Sequence, residues 1–195
     1  MSDGIELYLI QSPETAFPAD DNTRGYNRDL LKAYRNGIPV SDITNFIHRV
    51  LIEVAVKRRR ISKLVIGSHG SGIPSGFGHF YIGLNRIDQD DNEKINRLRV
   101  LAPLFEKDAD VYIMACRTGH ATKLLQKVSR ALGGVTVHGY TNYITTSNYW
   151  LWASIDEGVG DSYTIYPDTS FEEVHVGKHI ICWPTECLNI SHLPR

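Results

Sequence analysis

The sequence predicts an α/β fold: a single domain over 1–195 with a mostly parallel central sheet flanked by helices. Three observations predict it. Short apolar runs of strand length alternate with stretches whose apolar residues fall three and four apart, the pattern of helices lying on a parallel sheet. Past residue 140, Tyr, Trp, Ser and Asn dominate, and the stretches 150–155 and 162–166 alternate like antiparallel additions at the carboxyl end. With 195 residues, 42% of them apolar, the chain is long enough for one packed core without staples.

The elements follow in order. Residues 5–10 (IELYLI) read as a first strand ended by Ser12-Pro13. Residues 11–40 are polar and rich in Gly, Pro, Asn and Asp, a long loop with one helical turn near Leu30-Leu31. Ser41 is placed to cap a helix that buries Ile43, Phe46, Ile47, Val50, Leu51, Val54 and Ala55. Residues 63–67 form a buried strand leading into Ser68-His69-Gly70, then a glycine-rich flexible loop with a brief strand at 80–82. A second helix is expected over 92–105, burying Ile95, Leu98, Leu101 and Phe105. Residues 110–115 form the next buried strand, with Cys116 at its carboxyl end. A third helix opens near Thr118, buries Ala121, Leu124, Leu125, Val128 and Leu132, and stops at Gly133-Gly134 before a strand starting at Val135.

Composition narrows the function classes. A net charge of −1 argues against a protein built to grip nucleic acid or anionic membrane. The run Lys57-Arg58-Arg59-Arg60 sits where a helix ends, and there cations offset the dipole. The opening residues carry no basic, then apolar, signal pattern, and three cysteines do not look like a disulfide framework. A cytoplasmic protein is the expectation, with signal-less export left open and the oligomeric state undetermined.

Two strand ends carry the candidate chemistry. In a parallel sheet the carboxyl ends share one edge, so His69 and Cys116 can meet if their strands are neighbours. A thiol is nucleophilic as thiolate, which a helix N-terminus or an imidazolium favours. Cys116 is expected to precede the third helix immediately, and His69 to shuttle the proton. Gly70 has no side chain to block a substrate, so its backbone N–H and that of Cys116 are candidates for holding an oxyanion.

The strand ending in His-Gly, Leu64-Val65-Ile66-Gly67-Ser68-His69-Gly70, resembles that of the caspase-like cysteine peptidases. Val111-Tyr112-Ile113-Met114-Ala115-Cys116-Arg117-Thr118-Gly119 resembles their second strand, ending in Ala-Cys. The caspase signature has Gln before Ala-Cys and the histidine about 50 residues upstream. Here Met114 replaces that Gln and Thr118 is inserted before the Gly, a form nearer to the CHAT-like members. The resemblance covers roughly 61–140. It implies a three-layer caspase-like sandwich and a Cys116–His69 dyad that cleaves peptide bonds through an acyl-enzyme, with no cofactor and no metal. It places the substrate pocket beside the two dyad strands, where Ser68, Arg117, Tyr140, Thr141 and Asn142 are the candidate contacts. The aromatic-rich segment after Val137 suggests a groove for extended backbone and apolar side chains, with an uncharged or basic residue before the cut rather than aspartate. The alternative is a catalytically silent caspase-like module that binds a partner protein.

Other features have simpler explanations. His179, Cys182, Cys187 and His192 superficially resemble a zinc quartet but fit no recognised zinc module. Asp88, Asp90, Asp91, Asn92 and Glu93 lack the Gly and distal Glu of an EF-hand, and acids are favoured at a helix start. His138-Gly139 is a second His-Gly at a strand end, without a glycine-rich loop after it. No G-x-S-x-G elbow is present for a serine hydrolase.

Overall fold

The computed structural model describes residues 4–14, 27–28, 30–31, 36–73 and 75–140, together with the backbones of five further strands reaching residue 191. Its elements are β1 (Ile5–Gln11), β2 (Gly37–Val40), α1 (Ile43–Lys57), β3 (Ile61–Gly67), β4 (Gly70–Gly72), β5 (Gly78–Ile82) and β6 (Asn85–Asp88). They continue with α2 (Asn92–Arg97), β7 (Phe105–Met114), α3 (Thr122–Ala131), β8 (Thr136–Tyr140), β9 (Ile144–Tyr149) and β10 (Trp152–Glu157). The last are β11 (Ser162–Ile165), β12 (Lys178–Cys182) and β13 (Cys187–Ser191). The seven-stranded sheet runs β13-β12-β8-β7-β3-β1-β2. From β2 to β8 every pairing is parallel, and β12 and β13 are added antiparallel. Two three-stranded sheets, β4-β5-β6 and β9-β10-β11, are antiparallel. The architecture is therefore α/β, with a mostly parallel sheet flanked by helices and antiparallel additions.

Strand alternation sorts the core into two faces. Leu7, Leu9, Leu64, Ile66, Val111, Ile113 and Val137 join the buried residues of α1, α2 and α3 in one large cluster. Ile10, Val65, Met114 and Tyr140, on the opposite parity, pack with Leu30 in a smaller one. The three labelled helices thus cover one face, and the short helical segment around Leu30 packs on the other. Among the described residues no helix is long and apolar enough to cross a membrane.

Several boundaries differ from the sequence expectation. Asp42, not Ser41, caps α1: its carboxylate accepts from the N–H groups of Thr44 (2.8 Å) and Asn45 (2.9 Å), while the Ser41 hydroxyl donates to it. Along α1, Ile43, Phe46 and Val50 are buried and Ile47 and Val54 pack against them, but Leu51 and Ala55 face solvent. The expected helix over 92–105 is α-helical only to Arg97; a 3-10 helix then covers Leu98–Leu104, and Phe105 already belongs to β7. Pro103 has no N–H to continue a helix. The third helix begins at Thr122, after a separate 3-10 turn at Thr118–His120. The brief strand expected at 80–82 is the end of β5, but the loop expected around it is the β4-β5-β6 sheet, and β2 emerges within the expected loop 11–40. Pro39 is compatible with β2 because β2 is an edge strand.

Two substitutions test the ends of α1. Asp42→Ala is expected to cost about 1 kcal/mol, the usual worth of an N-cap. The Asn45 N–H bond, chief among its contacts, holds the Asp42 carboxyl below its ordinary value. Its contribution is thus complete above the unfolded carboxylate range and lost as pH falls through the folded value. The wild-type advantage in urea titrations should shrink below about pH 4. Arg58 closes the helix at φ 52°, a left-handed cap that glycine adopts without Cβ strain. Arg58→Gly should therefore raise the melting temperature by a few degrees, about 0.5–1 kcal/mol.

Candidate active site

β3 and β7 lie side by side, and Gly67 and Met114 are their last registered pair. His69 and Cys116 each stand two residues beyond that pair, on chains about 4.8 Å apart. The Ser68 N–H still donates to the Met114 carbonyl (3.1 Å), so the two chains remain joined one residue before His69. Gly70 then closes on the Cys116 corner: a Cβ there would stand 2.7 Å from Ala115 Cβ, 2.9 Å from the His79 carbonyl and 3.3 Å from Thr118 Cγ2. The fold thus brings the two predicted residues to one place on the sheet edge, and both are half-buried.

The corner itself is tight. Arg117 takes a left-handed conformation, φ 56°, rare for a residue with a side chain. The Thr118 hydroxyl donates to the Ala115 carbonyl (3.0 Å), and the Ala121 N–H to the Thr118 carbonyl (2.9 Å). Cys116 packs against the small cluster of Ile10, Leu30, Val65, Met114 and Tyr140. Because α3 starts at Thr122, a 3-10 turn separates Cys116 from the N-terminus of that α-helix, and the expected help from the α3 dipole is absent.

The candidate substrate contacts divide. Ser68 is fully buried; its hydroxyl donates to the His69 carbonyl (2.9 Å) and accepts from the Tyr81 N–H (3.1 Å), which fastens the β3 end to β5. Tyr140 is buried in the cluster behind Cys116. Arg117 is half-buried at the corner and is not the first residue of a helix. Thr141 and Asn142 lie outside the described residues.

Two neighbours of the site were not expected from sequence. Gln11, buried at the end of β1, accepts the His69 N–H at 3.3 Å. His79 on β5 is registered with Ser71 and Asp88 and sets its ring edge-on to Tyr81 at 5.4 Å. Burial, followed by the charges of Arg86 and His69, pushes the His79 imidazole below its ordinary value, and Asp88 opposes the shift. Neither residue has a local signal, because both reach the site through strand pairing.

The rival features are placed elsewhere. His138 lies inside β8 rather than at a strand end; it hydrogen-bonds Asp110 (2.8 Å) and stacks on Tyr112 with centroids 4.1 Å apart. The acids near α2 are engaged locally: Asp88 accepts from the Asp90 N–H (3.0 Å) and Asp91 from Lys94 (2.9 Å). Among the described residues no group of three His, Cys, Asp or Glu side chains is arranged to hold a metal. His192 lies outside the described residues, and His179, Cys182 and Cys187 are described by backbone alone, Cys182 facing Cys187 across β12 and β13. Comparison with protein-family models, curated proteins and solved structures finds no match.

The hairpin over the corner supplies a direct test. A Cβ on Gly72 would overlap the Arg117 carbonyl, which is backbone and cannot swing aside. Gly72→Ala should lift β4 from the Arg117 turn and cost roughly 2–3 kcal/mol in denaturant titrations. Ser75→Ala, on the exposed hairpin tip, should stay within about 0.5 kcal/mol of wild type.

Proposed function

We propose that the chain is a cysteine peptidase in which Cys116 and His69 form the dyad. The observation that carries this reading is the Gly67–Met114 register, which sets both residues at the same step beyond adjacent parallel strands. Cys116 Sγ attacks the scissile carbonyl, and His69 accepts the thiol proton and returns it to the leaving amine. The N–H groups of Gly70 and Cys116 hold the oxyanion, and water then hydrolyses the thioester. The close seating of Gly70 on Ala115 supports this assignment, because it brings one candidate donor to the other. Nothing in the scheme calls for a metal or an organic cofactor.

The substrate is a protein or peptide, with an uncharged or basic residue favoured before the cut. Arg117, Thr141 and Asn142 remain the proposed walls of its pocket, while Tyr140, buried behind Cys116, does not line it. Ile73 and Phe77 are exposed on the β4–β5 connection and are proposed to suit apolar substrate side chains. A caspase-like module without activity is the second reading, favoured by the packing of Cys116 against an apolar cluster.

Reactivity separates the two. Among Cys116, Cys182 and Cys187, Cys116 is expected to react fastest with iodoacetamide near neutral pH. Cys116→Ala should remove that phase and His69→Ala slow it. Equal labelling of all three cysteines would favour the silent module. On a peptide library, cleavage confined to bonds after aspartate would refute the proposed pocket.

A further inference from the structure

The strand order β2-β1-β3-β7-β8 reverses direction between β1 and β3: the chain leaves β1 for one side of the sheet and β3 for the other. Such a switch point opens a crevice at the carboxyl ends of those two strands. Gln11 ends β1 and His69 follows β3, so the contact between them spans the crevice. Gln11 is 1% exposed, and its amide is engaged from both ends. Its Oε1 accepts the His69 N–H (3.3 Å) and the Asn27 side-chain amide (3.2 Å), while its Nε2 donates to the Gly83 carbonyl (2.8 Å). One buried side chain thereby ties the His69 backbone to β1, to the segment before Leu30 and to the β5–β6 turn. Buried amides are costly to leave unpaired, so this arrangement is set against easy rotation.

We infer that Gln11 is a positioning residue that fixes His69 relative to Cys116, an inference that rests on the dyad proposed above. Gln11 accepts the His69 backbone N–H, so the proposed role acts through the placement of His69 and not through proton transfer. Removing its polar head would free the turn 68–70 without altering either dyad side chain.

The test is the pH profile of Cys116 alkylation by iodoacetamide in the full chain, read by peptide mass mapping. In wild type the rate should stay high near pH 6, and His69→Ala should lower it there by about tenfold. Gln11→Met, similar in shape but without the amide, should lose most of the same enhancement. Gln11→Glu should keep it within about twofold near pH 6, because burial favours the protonated acid, which can still donate to Gly83 and accept from His69. A wild-type profile in Gln11→Met, with His69→Ala impaired, would overturn the positioning role and leave the dyad standing. A wild-type profile in His69→Ala would overturn both. A measurement on the unmutated protein guards against a variant that does not fold: the His69 amide should exchange slowly with solvent by NMR, and exchange at the unprotected rate would also overturn the role.

Discussion

β3 and β7 pair in parallel in unbroken register from Lys63–Asp110 to Gly67–Met114, and the placement of His69 and Cys116 follows from that pairing. Parallel neighbours release their carboxyl ends on the same side at a spacing of about 4.8 Å. Two residues distant in sequence then need only equal overhang to meet, and the Gly67–Met114 pair gives His69 and Cys116 that overhang. A shift of one residue would break it and turn the whole of β3 to the opposite face. The register is resistant to such a shift because Leu64 and Ile66 belong to the large helical core while Val65 belongs to the smaller cluster.

Equal overhang places two backbones together; holding them there is the work of β4 and Gln11. Antiparallel pairing to β5 directs the chain after His69 back over the corner, where Gly70 and Gly72 fit against Ala115 and the Arg117 carbonyl. From the other side, Gln11 holds the His69 N–H. The left-handed Arg117 fits the same logic, since it turns the chain sharply between the strand and the 3-10 turn. Sparsely populated backbone conformations of this kind persist only where surrounding structure fixes them.

The parts legible in the sequence are those whose signal is local. Short apolar runs mark β3 and the second half of β7, and the three-and-four spacing from Ile43 to Val54 marks α1. Other misreadings have physical causes. Ile95, Leu98 and Leu101 recur every three residues, a period that suits a 3-10 helix as well as one face of an α-helix. Only Pro103 distinguished the two. β2 was hidden by its own Pro39, acceptable once a strand lies on the edge. Of the β4-β5-β6 sheet only the strand at 80–82 is legible, because the glycines around it, which signal turns, are used for close packing. Gln11 and His79 are invisible for a different reason: their importance arises from partners 58 residues away and across a sheet, respectively.

The start of α3 at Thr122 alters the chemical argument as well as the boundary. Had the helix begun at Arg117, its N-terminal charge would have favoured a thiolate at Cys116 whatever the histidine did. With a 3-10 turn interposed, and apolar Met114 and Tyr140 packed beside the cysteine, no backbone dipole of an α-helix supports the anion. In the proposed dyad, activation would then depend on the His69 imidazole, which helps only at the right distance and orientation. On that proposal the burden moves from the helix to the turn 68–70, a turn fastened to three neighbouring elements. Ser68 is bonded to Met114 and Tyr81, His69 to Gln11, and Gly70 is seated on Ala115. Under the proposed dyad, a nucleophile without a helix dipole leans on its base, and the contacts around 68–70 would hold that base in place.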